Sequence, residues 1–245
     1  MGDGSLICPM KVENPFMVGA AYGGKIVKYN WRGDIIWEYS YSDTNYLQHH
    51  DIEPMPNGNI LLLSWDRKTY LEAINAGRED IESDIWPDKI VEVELIGNNE
   101  INIVWEWTFW DHLIQDFDST LSNYGIISDH PELLDINLVS LDLAALGYSD
   151  WTHSNSIDYN EELDQILISC RNMHEIYIID HSTTTEEASG HTGGNSGKGG
   201  DFLYRWGNPA AYDRGSNSSQ RLDSQHGINS VSYTHLRAHE TKANL

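Results

Sequence analysis

The chain has 245 residues, 40% hydrophobic and 11% aromatic, which is enough apolar material to bury a core in one or two domains. With 38 acidic against 15 basic residues its formal charge is −23, a field that repels nucleic acid and anionic membranes, so an anionic substrate has to meet a locally basic pocket. Cys8 and Cys170 stand too far apart for a metal motif or a disulfide framework, no apolar run reaches the ~20 residues of a membrane span, and the N-terminus lacks the apolar core of a signal peptide.

In chain order the predicted elements are strands. Lys25–Tyr29 and Asp34–Tyr39 flank Asn30-Trp31-Arg32-Gly33 and predict a hairpin. Gln48–Pro56 and Asn59–Trp65 flank Asn57-Gly58, the strongest short hairpin signal. Strands are expected at Lys89–Leu95 and Ile101–Trp107. From Trp110 to Tyr148 the pattern changes. Pro131-Glu132-Leu133-Leu134-Asp135 and Leu138–Leu146 have helical apolar spacing, with Pro131 at a first-turn position, and predict a helical insertion over about 110–148.

Strand His153–Tyr159, a turn at Asn160–Asp164 and strand Gln165–Arg171 follow. A turn centred on Glu162 places Tyr159 opposite Gln165 and His153 opposite Arg171, so an imidazole and a guanidinium would share one face as an anion site. Glu175–Asp180 and Phe202–Trp206 complete a four-stranded unit, with a Gly/Ser/Thr-rich stretch over 186–200 expected to be a mobile loop. Its Gly197-Lys198-Gly199 is not a phosphate loop, because Thr192 stands where the first glycine would be and no Ser or Thr follows Lys198.

Two long segments repeat. Ile52 precedes Ser64, and Ile157 precedes Ser169, by the same interval, and each closing strand carries aromatics two apart: Trp37/Tyr39, Trp105/Trp107 and Tyr204/Trp206. Repeated four-stranded antiparallel units with aromatic signatures predict an all-β fold, a β-propeller, with a sandwich as the alternative. A third copy starts at Ser224-Gln225-His226-Gly227-Ile228-Asn229 and stops. Val231–Thr241 resembles the translated library adaptor that contaminates metagenomic gene models. Residues 1–231 are therefore assigned to a partial propeller and 232–245 to a non-native tail beyond which the natural protein continued. The plain alternative is a polar tail.

Each copy carries histidine near the start of its first strand: His49 and His50, then His153, then His226. First strands of propeller blades line the central channel, so these rings are expected to meet at one mouth, with Arg171 beside one of them. A lone strand histidine is ordinarily just hydrogen-bonded; the recurrence points to a site.

Three motifs carry a resemblance to the bacterial aryl-sulfate sulfotransferase family: His49-His50-Asp51-Ile52 with Pro56-Asn57-Gly58-Asn59-Ile60; Asp150-Trp151-Thr152-His153-Ser154-Asn155-Ser156-Ile157 running to Ile168-Ser169-Cys170-Arg171; and Gln225-His226. The resemblance covers most of Gly24 to Asn229. It implies a six-bladed propeller, about half of it present here, which as a fragment is expected to be inactive. It also implies transfer of a sulfuryl group from a phenolic sulfate to a phenol without a nucleotide donor. The family nucleophile falls on His226, forming a sulfohistidine, with His50, His153 and Arg171 as the other catalytic residues and the choice between His49 and His50 open. No cofactor is implied. Export to the periplasm or beyond is implied, and a homodimer is compatible with it. Two alternatives stand beside this reading: a three-histidine metal site of a hydrolase or lyase, against which the charge of Arg171 argues, and a non-catalytic binding propeller.

Overall fold

The computed structural model describes residues 4–79, 81–139 and 149–231. Strands β1 (Leu6–Lys11), β2 (Gly24–Tyr29) and β3 (Ile35–Ser40) form a three-stranded sheet. β4 (Tyr46–Pro54), β5 (Ile60–Asp66), β6 (Asp88–Ile96) and β7 (Glu100–Thr108) form the second, and the short helix α1 (Tyr70–Asn75) lies between β5 and β6. After the two-residue strands β8 (Leu113–Ile114) and β9 (Leu134–Asp135), which pair in parallel, β10 (Ser154–Asn160), β11 (Gln165–Cys170), β12 (Glu175–Asp180) and β13 (Tyr204–Trp206) form the third. The three larger sheets are antiparallel, with strands in chain order, as the tight turns between apolar runs require.

The sheets stack face on face. β5 is buried on both faces: Ile60 and Leu62 pack with Ile26, Trp37 and Val91 toward the first sheet, while Leu61 and Leu63 pack with Trp105, Ile157, Ile168 and Tyr177 toward the third. Leu167 and Ile176, on the far face of the third sheet, are covered by Leu222 and Ile228. A continuous run such as Ile60-Leu61-Leu62-Leu63 is the signature of a strand with a core on each side.

The third sheet corrects the expected hairpin register by one residue. Tyr159 pairs with Ile166, and Asn160 with Gln165, because the turn is shorter and closes through a left-handed Asp164 (φ 51°). A β-bulge between Ser154 and Ser156 then takes up the odd residue. Ser154 pairs with Cys170, and the Arg171 N–H donates to the His153 carbonyl at 3.0 Å, so the expected His153–Arg171 pairing survives at backbone level.

The expected helix at 131–135 is also corrected. Residues 131–133 form turns and a bend and Leu134–Asp135 is β9; among the described residues the helical turns of this segment are 3-10, at Phe109–His112 and Ile127–Asp129. Arg205 explains part of this: its Nη1 donates to the carbonyls of Pro131 (3.2 Å) and Leu133 (2.9 Å), which satisfies them outside a helix. Most of the expected helix over 138–146, and the tail at 232–245, lie outside the described residues. The aromatic signature is inverted in β13, where Tyr204 and Trp206 face outward and Arg205 is buried against Glu175. Phe202 takes the core position, stacked on Tyr177 at 4.3 Å. The 186–200 stretch, expected to be loose, opens with α2 (Thr185–Ala188), capped by Thr184 and Glu187, and is closed by Gly199 N–H to Gly193 C=O and Gly200 N–H to Gly190 C=O bonds of 3.0 Å.

Candidate active site

Bulges in β4 and β10 lie at or beside histidines. In β4, Gln48 pairs with Ser64 and Ile52 with Leu62, so His49, His50 and Asp51 stand opposite Leu63 alone. In β10 the bulge follows His153. His50 (φ 50°) and His153 (φ 51°) both have left-handed backbones, an uncommon conformation for a residue with a side chain. The side chain of Gln48 fills the first bulge: its amide nitrogen donates to the carbonyl of His49 at 2.9 Å, and its amide oxygen accepts from Gly24 N–H at 3.1 Å. Asp51 joins the two sheets by accepting from the Ile157 N–H at 3.1 Å.

The geometry brings the expected histidines together. The ring centroids of His50 and His153 are 4.8 Å apart, and those of His153 and His226 are 6.3 Å apart. Each ring is held through Nδ1: His50 against Nδ1 of His49 at 2.8 Å, His153 against Oδ2 of Asp150 at 2.6 Å, and His226 against the carbonyl of Ser224 at 3.0 Å. A carboxylate or carbonyl can only accept, so His153 and His226 donate from Nδ1, and in the neutral form of each ring Nε2 is the lone pair. His49, fully buried, reaches Oδ1 of Asp88 through Nε2 at 3.0 Å. With its own proton on that nitrogen, it accepts from Nδ1–H of His50. All three clustered rings thus expose Nε2, and none of these atoms has a hydrogen-bond partner among the described residues.

Burial, reinforced by the neighbouring His49 and His153, pushes the His50 pKa down to about 3 against the weaker pull of Asp88, so this ring is neutral near pH 7. Asp88 is held below the usual carboxylate range. Burial alone would raise it, but His49 and hydrogen bonds from Ser154 outweigh that. His50, rather than His49, is therefore the ring that belongs to the cluster, and His49 stands behind it.

His226 reaches the cluster on a segment laid along β10. Asn155 Nδ2 donates to Gln225 C=O at 2.7 Å, Ile228 N–H donates to Ser156 Oγ at 3.2 Å, and the Gln225 amide donates to the carbonyls of Cys170 (2.9 Å) and Glu175 (2.8 Å). Arg171 is tied to His153 through the backbone, and its Nη1 donates to Asn172 Oδ1 at 2.9 Å. Asn172 in turn donates to the carbonyls of Asp150 and Trp151, so the residue is part of the scaffold beneath His153.

Sequence reasoning missed the residues behind the rings. Asp150 was visible only as the first letter of its motif, and also accepts from Trp65 Nε1 at 3.0 Å. Asp88, from the following hairpin, binds His49 and the Ser154 N–H together. No spacing rule links Asp88 to either, since it lies two strands from His49 in the same sheet and reaches Ser154 across to the next.

Two bulged strands of successive antiparallel sheets and the 224–230 segment bring three imidazoles to one place. The model of the family described as Arylsulfotransferase (ASST) matches residues 1–187, and the chain belongs to that family. His50, His153 and Arg171 lie inside the matched span and His226 beyond it. No curated protein matches the chain. Among solved structures it is similar to hydrazine synthase of Kuenenia stuttgartiensis, at 12% identity and a TM-score of 0.42, over 92% of this chain and 49% of that one. The chain thus spans about half the length of that structure, and so distant a likeness carries no argument about fold or activity.

Proposed function

We propose that the protein transfers a sulfuryl group from a phenolic sulfate ester to a phenol, through a sulfohistidine on His226 and without a nucleotide donor. The sheets are read as successive propeller blades, with β4, β10 and the 224–230 segment along the channel, and the natural protein as continuing into further blades after Asn229. The observation that carries the reading is the common use of Nδ1 as the anchored nitrogen in His50, His153 and His226. His226 has the most exposed of the three rings. Its Nε2 lone pair attacks the ester sulfur; the N–S bond forms as the S–O bond to the aryl oxygen breaks, and the phenolate leaves.

In the second half the acceptor phenol attacks the same sulfur, loses its proton to a neutral imidazole, and the N–S bond breaks. His153, its Nδ1–H held by Asp150, has the arrangement of a general base. A neutral His50 accepts rather than donates, and the negative charge of a bound sulfuryl group raises its affinity for a proton. Arg171 supplies a permanent positive charge for the sulfuryl oxygens in a transition state of the loose kind known for phosphoryl transfer. Localisation beyond the inner membrane follows the family reading, and no helix among the described residues is long and apolar enough to cross a membrane.

The test is steady-state transfer from nitrophenyl sulfate to a phenol by the full-length gene product. His226→Asn is expected to abolish turnover, and His153→Ala to slow it ~10²–10⁴-fold, the range for a lost acid–base group. Full activity in His226→Asn overturns the reading.

A further inference from the structure

Away from the histidine cluster, three side chains from two distant parts of the chain converge. His112 ends the 3-10 turn Phe109–His112; His191 and Asp201 bracket the glycine-rich stretch. Nδ1 of His112 lies 2.9 Å, and Nδ1 of His191 2.7 Å, from the same oxygen, Oδ1 of Asp201, and the ligand atoms of the three all fall within 4.8 Å of one another. His112 is fully buried, stacked on Trp107 with centroids 5.7 Å apart, and its Nε2 meets the carbonyl of Ala188 at 2.9 Å.

That last bond decides the chemistry. A carbonyl only accepts, so the ring's proton sits on Nε2, and Nδ1 of a neutral His112 is a lone pair facing a carboxylate oxygen at hydrogen-bond distance. Two acceptors so placed need either a further proton or a metal ion between them. An imidazole with one nitrogen on a backbone carbonyl and the other facing a carboxylate and a second imidazole is the usual setting of a metal ligand. Gly200 makes the approach feasible, since a Cβ there would lie 2.6 Å from Nε2 of His112 and 2.0 Å from the Ala188 oxygen.

We infer that His112, His191 and Asp201 bind a divalent transition-metal ion of the zinc class, through Nδ1, Nδ1 and a carboxylate oxygen. Ligands of a tetrahedral ion with bonds of ~2.1 Å stand about 3.4 Å apart, so Asp201 and the exposed His191 spread slightly from their present contact. The ion staples the 189–201 stretch to the segment after β7, and its fourth position is left to water. On that side His191 borders a cavity of about 570 Å³ that also includes Trp110, Tyr124 and His130. The site is independent of the sulfuryl-transfer reading, because it shares no residue with the His50–His153–His226 cluster.

The experiment is titration of the chelator-treated 245-residue chain with Co²⁺ alone, followed by visible absorption, with bound metal counted after desalting. One ion per chain and intense bands of a low-coordinate Co²⁺ complex with imidazole ligands are expected. His191→Ala, on a side chain 60% exposed that can be removed without disturbing the core, is expected to weaken uptake by more than ~100-fold, beyond the range seen when only a supporting partner of a ligand is lost. His130→Ala, on the same cavity wall but outside the ligand set, is expected to leave uptake unchanged. Limited proteolysis within residues 189–200 should slow when metal is bound and not in His191→Ala. No saturable Co²⁺ uptake, or uptake equal in His191→Ala and the parent chain, would show that a proton holds the triad together and overturn the inference.

Discussion

Asp150 fixes which nitrogen of His153 is engaged and which is left facing the cluster. Its Oδ2 holds Nδ1–H at 2.6 Å while Oδ1 accepts from Trp65 Nε1 at 3.0 Å. In Asp150→Asn the oxygen can still serve Trp65, which turns the new amide N–H₂ toward Nδ1 and drives the proton of His153 to Nε2. Turnover is expected to fall by up to ~10⁴-fold, the size of the tautomer effect in a serine protease triad, with little change in melting temperature. An active Asp150→Asn enzyme would show that His153 is not a base.

His50 offers a separate readout. Its folded pKa of about 3 lies below the ordinary 6.5, so between these values the folded state binds fewer protons than the unfolded chain. The stability this ring contributes is full above pH ~6.5 and is lost as pH falls toward 3. Asn tolerates the left-handed backbone at this position. His50→Asn should therefore lose less melting temperature than the parent between pH 7 and 4, and an identical loss would mean that His50 is not held neutral.

Between elements, His181 clasps the second sheet to the third. It bonds Glu92 of β6 at 3.0 Å and Asp164 of the β10–β11 turn at 2.7 Å, and packs on Trp105 and Tyr159. Burial works against its charged form, but the two carboxylates outweigh burial and raise its pKa. The sign is opposite to that of His50: this contribution is present below pH 6.5 and fades as pH rises through the raised value. His181→Gln is expected to flatten the decline in stability on the alkaline side, with a parallel decline counting against the clasp. Within the stack, Leu62→Ala is expected to cost ~2–5 kcal/mol in denaturant unfolding, since Leu62 is fully buried between sheets.

The strands and the recurrence of histidine were legible in the sequence because alternation and turn residues are local signals. β1, the bulges and the register of the β10–β11 turn were not, since a bulge adds a residue without altering the apolar pattern. Arg205 defeated the aromatic rule in β13 for a tertiary reason: its partner Glu175 and the carbonyls of the 131–133 segment lie far away in sequence.

At the scale of the molecule, two stacked antiparallel sheets and the 224–230 segment bring three imidazoles to one place by repeating one device, a stretch of chain pinned to the first strand beside it. Asp51 accepts from Ile157 N–H across one junction, and Ser156 accepts from Ile228 N–H across the next. Arg171 joins this assembly through its backbone N–H to the His153 carbonyl, with its guanidinium on Asn172. The central claim is that His226 becomes covalently sulfated. The most direct measurement is to incubate the full-length gene product with nitrophenyl sulfate and no acceptor, quench in alkali, and map the modified peptide by mass spectrometry. The account predicts one sulfuryl group on His226, discharged when phenol is added and missing in His226→Asn. A label on His50 or His153 with His226 unmodified, or full turnover with no labelled histidine, would contradict it.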